Sequence, residues 1–305
     1  RILSILLILL LAACSSNKSE VEVAIAVCDL EYSRYQATVT GYCQEEAANL
    51  PDSLKVINKR IIIKPLNEIS EVFWFNKKMQ YSLIKQATRA PLIFIIAGTG
   101  AGYDSAKMLS LQKSFFLQGY HVISLSSPTF ANFIVNSPNT KYMPGDLAHD
   151  AEDLYKVMNL VWAQVQAQDE VVASSFSLTG YSLGGAHSAF IALLDEEKQA
   201  FNFEKVLMIN PPVSLYNSVS ILDEYFDLRN NRQAAIAMFD EIFARFSDLY
   251  SMQRSSKFDQ GSIFNLFKHA DLTEAELKLL IGASFRMSSS DMFFAIDVSF
   301  NTGAI

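Results

Sequence analysis

The segment Pro91-Leu92-Ile93-Phe94-Ile95-Ile96-Ala97 contains no polar side chain and stops on Gly98-Thr99-Gly100-Ala101-Gly102. A run this short is a strand rather than a helix. Without polar alternation, both of its faces must be buried, as they are in the middle of a mostly parallel sheet. The following chain supplies the crossovers such a sheet needs. Asp104 to Gln118 reads as a helix, with Asp104 as N-cap and Gly119 taking the left-handed turn at its end. His121–Leu125 is the next strand, followed by a loop over Ser126–Pro144. Asp146–Gln166 is a helix that repeats Leu147, Ala151, Leu154, Met158, Val161 and Val165 on one face. Phe176–Thr179 reads as a strand, Gly185–Leu194 as a helix, and Lys205–Asn210 as a strand stopped by Pro211-Pro212. Alternating strands and helices define the α/β class, a mostly parallel sheet flanked by helices.

The flanks are less regular. Tyr35, Thr38, Val39 and Thr40 sit among β-formers, so 21–43 reads as weak strands. Arg60–Leu66 and Glu71–Phe75 would form an opening hairpin. Beyond Pro212 no strand is expected. Ala235, Phe239, Ile242, Phe246 and Leu249 mark an amphipathic helix, and Thr273 with Glu276 forms a capping box for another. These breaks divide the chain into an N-terminal extension over 14–59, a core over 60–212 and a helical cap over 213–305. With 305 residues, half of them apolar, the chain has enough material for a large core, which excludes a disordered protein. A net charge of −7 without a basic cluster argues against a nucleic-acid partner.

The first residues carry an address. Arg1 precedes the apolar run Ile2–Leu11, which is too short to span a bilayer core of about 30 Å. It suits the apolar region of a secretory signal over 1–13. Leu11-Ala12-Ala13-Cys14 resembles the bacterial lipobox, which implies an acylated Cys14 as mature N-terminus and membrane attachment through its lipid. Ser15, in place of an inner-membrane Asp, then favours the periplasmic side of the outer membrane. A plain signal peptide and a buried apolar strand are the other readings. Residues 15–20 are a polar tether. Cys28 and Cys43 remain as a pair, expected to form a disulfide in an exported chain and otherwise free thiols.

Chemistry enters at Gly180-Tyr181-Ser182-Leu183-Gly184, a G-x-S-x-G pentapeptide between a strand and a small-residue helix. A serine on so sharp a turn holds its hydroxyl free above the sheet, and glycines on either side admit neighbouring backbone. The helix behind it points N–H groups at the same place. With the glycine-rich loop after an earlier strand, residues 60–212 resemble the α/β-hydrolase family of serine hydrolases. The resemblance implies Ser182 as nucleophile, with the backbone N–H groups of Leu183 and Thr99 holding an oxyanion. Where that family often has His-Gly, this chain has Ala97-Gly98. A phosphate-binding reading of Gly98–Gly102 is weaker, since the Lys-Ser/Thr of a P-loop is absent.

The family order places an acid and then a histidine after the serine, each following a later strand. His121 and His149 precede Ser182, and His187 lies on the helix just after it. His269 does not follow a strand, and Asp223 and Asp227 are poor acids. The acid and base are therefore expected beyond residue 305, with the last core strands. Asp146, Asp150 and Asp153 read as a solvated helix face, and neither metal nor cofactor is expected. The phenylalanines of 213–305, among them Phe226, Phe239, Phe293 and Phe294, would form a cap core and partly a lid favouring an apolar acyl group. The expectation is an envelope-anchored hydrolase of a small-molecule or lipid-like ester or thioester. A non-catalytic binding lipoprotein of the same fold is the alternative.

Overall fold

The computed structural model describes residues 33–40, 50–51, 54–139, 141–169, 171–226, 228–252 and 270–303. Cys14, Cys28, Cys43, Asp227 and His269 lie outside the described residues. The strands are β1 (Ile57–Ile61), β2 (Met79–Ile84), β3 (Ala90–Ile96), β4 (His121–Leu125), β5 (Ala173–Tyr181) and β6 (Lys205–Ile209). They form one six-stranded sheet in the order β1-β2-β4-β3-β5-β6. β2 pairs antiparallel with both β1 and β4, and the remaining pairings are parallel. Five strands therefore run one way and β2 runs against them, the mostly parallel sheet that the sequence pattern requires.

Register explains the core. Ile57, Leu83, Ile123, Phe94, Leu178 and Val206 stand opposite one another across all six strands and fall in one apolar cluster. Along β3 the side chains alternate. Leu92, Phe94 and Ile96 enter that cluster, while Ile93, Ile95 and Ala97 enter a second one with Met108. Every residue from Leu92 to Ala97 is buried, and each large apolar side chain among them contributes about 1.5–3 kcal/mol.

Helices cover both faces. α1 spans Arg34–Thr40, α2 Ala106–Leu117, α3 Ala131–Asn136, α4 Leu147–Asp169 and α5 Leu183–Lys198. α4 buries Ala151, Leu154, Met158, Val161 and Val165 as the spacing predicts. α2 covers the opposite face through Met108, Leu111 and Phe115. Its N-cap is Ser105 rather than Asp104, and Gly119 behind it has φ +87°. At the far end of α5, the buried Asp195 accepts N–H bonds from Phe201 (3.0 Å) and Phe203 (3.2 Å), and the Tyr155 hydroxyl donates to it. Burial pushes the Tyr155 hydroxyl up to about 12. This carboxylate fixes the chain between α5 and β6.

The last third is helical among the described residues, with α6 (Leu215–Glu224), α7 (Leu228–Met252) and α8 (Glu274–Phe300). α8 opens with the expected capping box, Thr273 and Glu276 each bonding the other's backbone N–H. Glu276 also pairs with Arg245 of α7. Among the described residues no helix is long and apolar enough to cross a membrane.

Two further expectations fail. Residues 34–40 are the helix α1, not a strand. Ser33 Oγ accepts the Gln36 N–H (3.2 Å) at its start, and Tyr35 packs edge-on to Tyr225 with Lys278 of α8 over its ring. Tertiary packing and an end cap here override the β preference of Thr38–Thr40. Glu71–Phe75 lies in a 3-10 helix over Glu71–Asn76, and the partner of β1 is β2. Phe73 is drawn inward against Ile134, Val135 and Ala295, a packing that strand alternation would not give.

Candidate active site

β3 and β5 are neighbours, and Ile96 stands opposite Gly180 at their common end. The two segments that leave there, Gly98–Gly102 and Ser182, are thus brought together by the sheet. Ser182 alone separates β5 from α5, at φ 53° and ψ −124°. That backbone region costs a non-glycine residue about 1–3 kcal/mol and persists only where its surroundings enforce it. Here they do. Ser182 N–H donates to Ile209 O of β6 (2.8 Å), and Ser182 O accepts from Gly185 N (2.9 Å) and Ala186 N (3.2 Å).

The glycines are required by close approach. A Cβ on Gly180 would lie 2.2 Å from Gly184 O, and one on Gly184 2.3 Å from Ile96 O. Both contacts are with backbone that cannot step aside. The Ser182 side chain is exposed while Leu183 and Gly184 behind it are buried. Its hydroxyl therefore stands at the mouth of the turn, in front of the positive end of α5.

The glycine-rich loop lies beside it. A methyl on Gly98 would stand 3.2 Å from Ser182 Cβ and 2.7 Å from the Tyr181 ring. The loop turns on itself through Ala101 N–H to Gly98 O (3.0 Å), and Gly100 has φ +65°. Among the described residues, neither Thr99 N–H nor Leu183 N–H donates to a protein acceptor. Two free amide protons thus belong to the two segments that flank Ser182. Burial raises the pKa of Tyr181, and Lys107 sits over its ring at 5.3 Å.

A brace that the sequence reading missed holds this loop. Thr129 Oγ1 accepts Gly100 N–H (2.8 Å) and bonds Ser127 Oγ (2.9 Å), and Ser127 N–H donates to Ala101 O (3.0 Å). Ser126 Oγ accepts Tyr103 N–H (3.0 Å). Tyr103 O accepts from Ser124 Oγ (2.8 Å) and Gln112 Nε2 (3.0 Å). The signal was present: four hydroxyl residues crowd Ser124–Thr129, at the end of a buried strand and directly after it, where an idle hydroxyl is costly. α8 closes in from the other side, with Ser288 O 3.4 Å from the position of a Cβ on Gly100.

The described histidines are committed elsewhere. His121 Nδ1 accepts the Gln86 N–H (3.1 Å), His149 stacks on Tyr142 and pairs with Asp146, and the buried His187 bonds Asp150 through Nε2 (3.1 Å). Asp223 pairs with Arg286 (2.8 Å). Asp150 and Asp153 do not form a solvated face; both are buried. Asp150 also accepts Gly145 N–H (2.9 Å), and Asp153 accepts the Ser137 hydroxyl (2.6 Å), so partners on the preceding loop draw them inward. Burial raises the pKa of Asp153. Among the described residues no group of three or more His, Cys, Asp or Glu could hold a metal ion.

No protein-family model matches the sequence, and no curated protein matches it. Solved structures similar to it include EstE1, a thermophilic carboxylesterase cloned from a metagenomic library. That likeness has 13% identity and a TM-score of 0.39, and covers 80% of this chain and 66% of the other. An esterase from Pyrobaculum calidifontis has 14% identity, a TM-score of 0.39, and coverage of 62% and 55%. Est1E from Butyrivibrio proteoclasticus has 12% identity, a TM-score of 0.34, and coverage of 47% and 51%. The chain spans about half the length of Est1E and of the Pyrobaculum calidifontis esterase. What the turn can do follows from its own geometry rather than from these likenesses.

Proposed function

We propose that the chain is a serine hydrolase of the α/β-hydrolase type, cleaving an ester or thioester through an acyl-enzyme on Ser182. The observation that carries this is the exposed Ser182 hydroxyl on an enforced positive-φ turn, with the unbonded N–H groups of Leu183 and Thr99 on the two adjoining segments. A tetrahedral intermediate concentrates negative charge on one oxygen. Two fixed amide donors and a helix N-terminus lower the barrier to forming it, each donor by about 3 kcal/mol. The acyl group is proposed to be apolar, with part of the cap expected over 213–305 serving as lid. The base and acid are proposed to come from outside the described residues, since each described histidine is held by other partners.

The same reading puts the protein in a bacterial envelope, on the periplasmic side of the outer membrane, held by lipid on Cys14, with Cys28 and Cys43 as a disulfide. The commitment of the described histidines is also what favours the second reading, a non-catalytic binding lipoprotein with an intact turn. A fluorophosphonate probe separates the two. The hydrolase reading expects covalent labelling that Ser182→Ala abolishes, in a variant that melts like the parent. Absence of labelling in the folded, full-length protein overturns it in favour of the binder.

A further inference from the structure

The 3-10 helix over Glu71–Asn76 displays Val72, Trp74 and Phe75 to solvent, with Trp74 72% and Phe75 59% exposed. Their rings meet edge-on at 5.6 Å. Phe294 of α8 extends the same apolar surface, 45% exposed, with its ring 5.9 Å from that of Phe73. This is a mounted ridge rather than a loose loop. Phe73 is buried beneath it, in one cluster with Ile134, Val135 and Ala295. The far end is tied down by Asn136 Nδ2 to Asn76 O (2.7 Å) and Asn132 Nδ2 to Lys78 O (3.0 Å). The fold thus spends buried contacts and hydrogen bonds on holding two large aromatic rings in water.

We propose that this ridge docks on the interfacial region of a lipid bilayer. Two features choose that occupant. An exposed indole beside phenylalanine, with the exposed Lys78 at its border, has the chemistry of a membrane-interface anchor, apolar at the tip and cationic at the margin. The exposed parts of Val72, Trp74, Phe75 and Phe294 amount to roughly 500 Å², less than the ~800 Å² per partner of a stable protein interface. Because Lys77 is held by Glu71, attachment is apolar and needs no anionic lipid. The inference does not depend on Ser182.

The test uses the full chain carrying Cys14→Ser, to remove the lipid, and Trp162→Phe, which leaves Trp74 as its only tryptophan. It is mixed with phosphatidylcholine vesicles whose acyl chains are brominated. Docking shifts Trp74 emission to shorter wavelength and quenches it. Trp74→Ser with Phe75→Ser lowers vesicle partitioning, read by flotation, by about tenfold or more, while Trp74→Phe keeps it. Trp74 emission that is unquenched on vesicles overturns the proposal, even if the N-terminal apolar run carries the protein to the lipid. A blue shift that follows protein concentration without vesicles also overturns it, and assigns the ridge to a second copy of the chain. Fluorophosphonate labelling of Ser182 is read separately and is expected to be the same in all these variants.

Discussion

Thr129→Val is the most informative single change near the turn. Thr129 is buried, and its hydroxyl joins Gly100 N–H at 2.8 Å to Ser127 Oγ at 2.9 Å. Valine fills the same volume and removes only those bonds. An orphaned donor at such a site costs about 1–3 kcal/mol. Taking about 2 kcal/mol, a domain of this size should lose roughly 4–8 °C in Tm. The kinetic effect is separate. Gly100 N–H fixes the peptide that follows Thr99, so its release lets the proposed Thr99 donor swing away. Deleting such a donor outright costs about 10²–10³ in rate, so a misaimed one should slow fluorophosphonate labelling by about 10- to 100-fold. Adding Ser127→Ala should cost less on the valine background than alone, since the two hydroxyls share a bond. An unchanged Tm would refute the brace. A lowered Tm with an unchanged labelling rate would refute Thr99 as an oxyanion donor and leave the brace merely structural.

Other changes probe separate supports. Gly184→Ala puts a methyl 2.3 Å from Ile96 O and 2.5 Å from Ala97 O; it should destabilise by about 3 kcal/mol in urea unfolding and abolish labelling, whereas an alanine that melts like the parent contradicts the packing. Asp195→Ala orphans Phe201 N–H, Phe203 N–H and the Tyr155 hydroxyl; a loss of about 4 kcal/mol is expected, with Asp195→Asn milder. His121 has its pKa lowered by burial, with Lys85 adding to the effect, and its Nδ1 must stay unprotonated to accept Gln86 N–H. The unfolded chain therefore takes up the proton first as pH falls below about 6.5, and stability should decline from there down to the lower pKa of the folded state. In thermal melts between pH 7.5 and 5, His121→Gln should flatten that slope, and a slope unchanged by the substitution argues against His121 as its source.

Legibility followed how local each cause was. β3 could be read because seven consecutive apolar residues admit one environment, and α4 because its stripe repeats over several turns. The G-x-S-x-G turn could be read because its geometry is made within five residues, its glycines being those whose Cβ would strike backbone. What failed depended on distant partners. Tyr35 belongs to a helix because Tyr225 and Lys278, far along the chain, receive it. Asp150 and Asp153 are buried because Gly145, His187 and Ser137 meet them, and no helical wheel carries that information.

The site itself divides along the same line. Its nucleophile and helix are contiguous in sequence and legible; the loop that joins them was legible as glycines, but its rigidity was not, because the rigidity resides in hydroxyls after β4. A catalytic base is the extreme case. It need share no segment with Ser182, only a point in space, and so spacing could not select among four histidines. Geometry selects better than spacing does: each described ring already has a stacking or hydrogen-bonding partner of its own. A base recruited from His149 would have to leave both Tyr142 and Asp146, and one from His187 would have to leave Asp150 and a fully buried position. The first move gives up a ring stack and a partly exposed pair, a small cost; the second breaks a buried bond and orphans a buried carboxylate, a cost of about 1–3 kcal/mol before any proton is transferred. These commitments are why the base of the proposed reaction is sought outside the described residues.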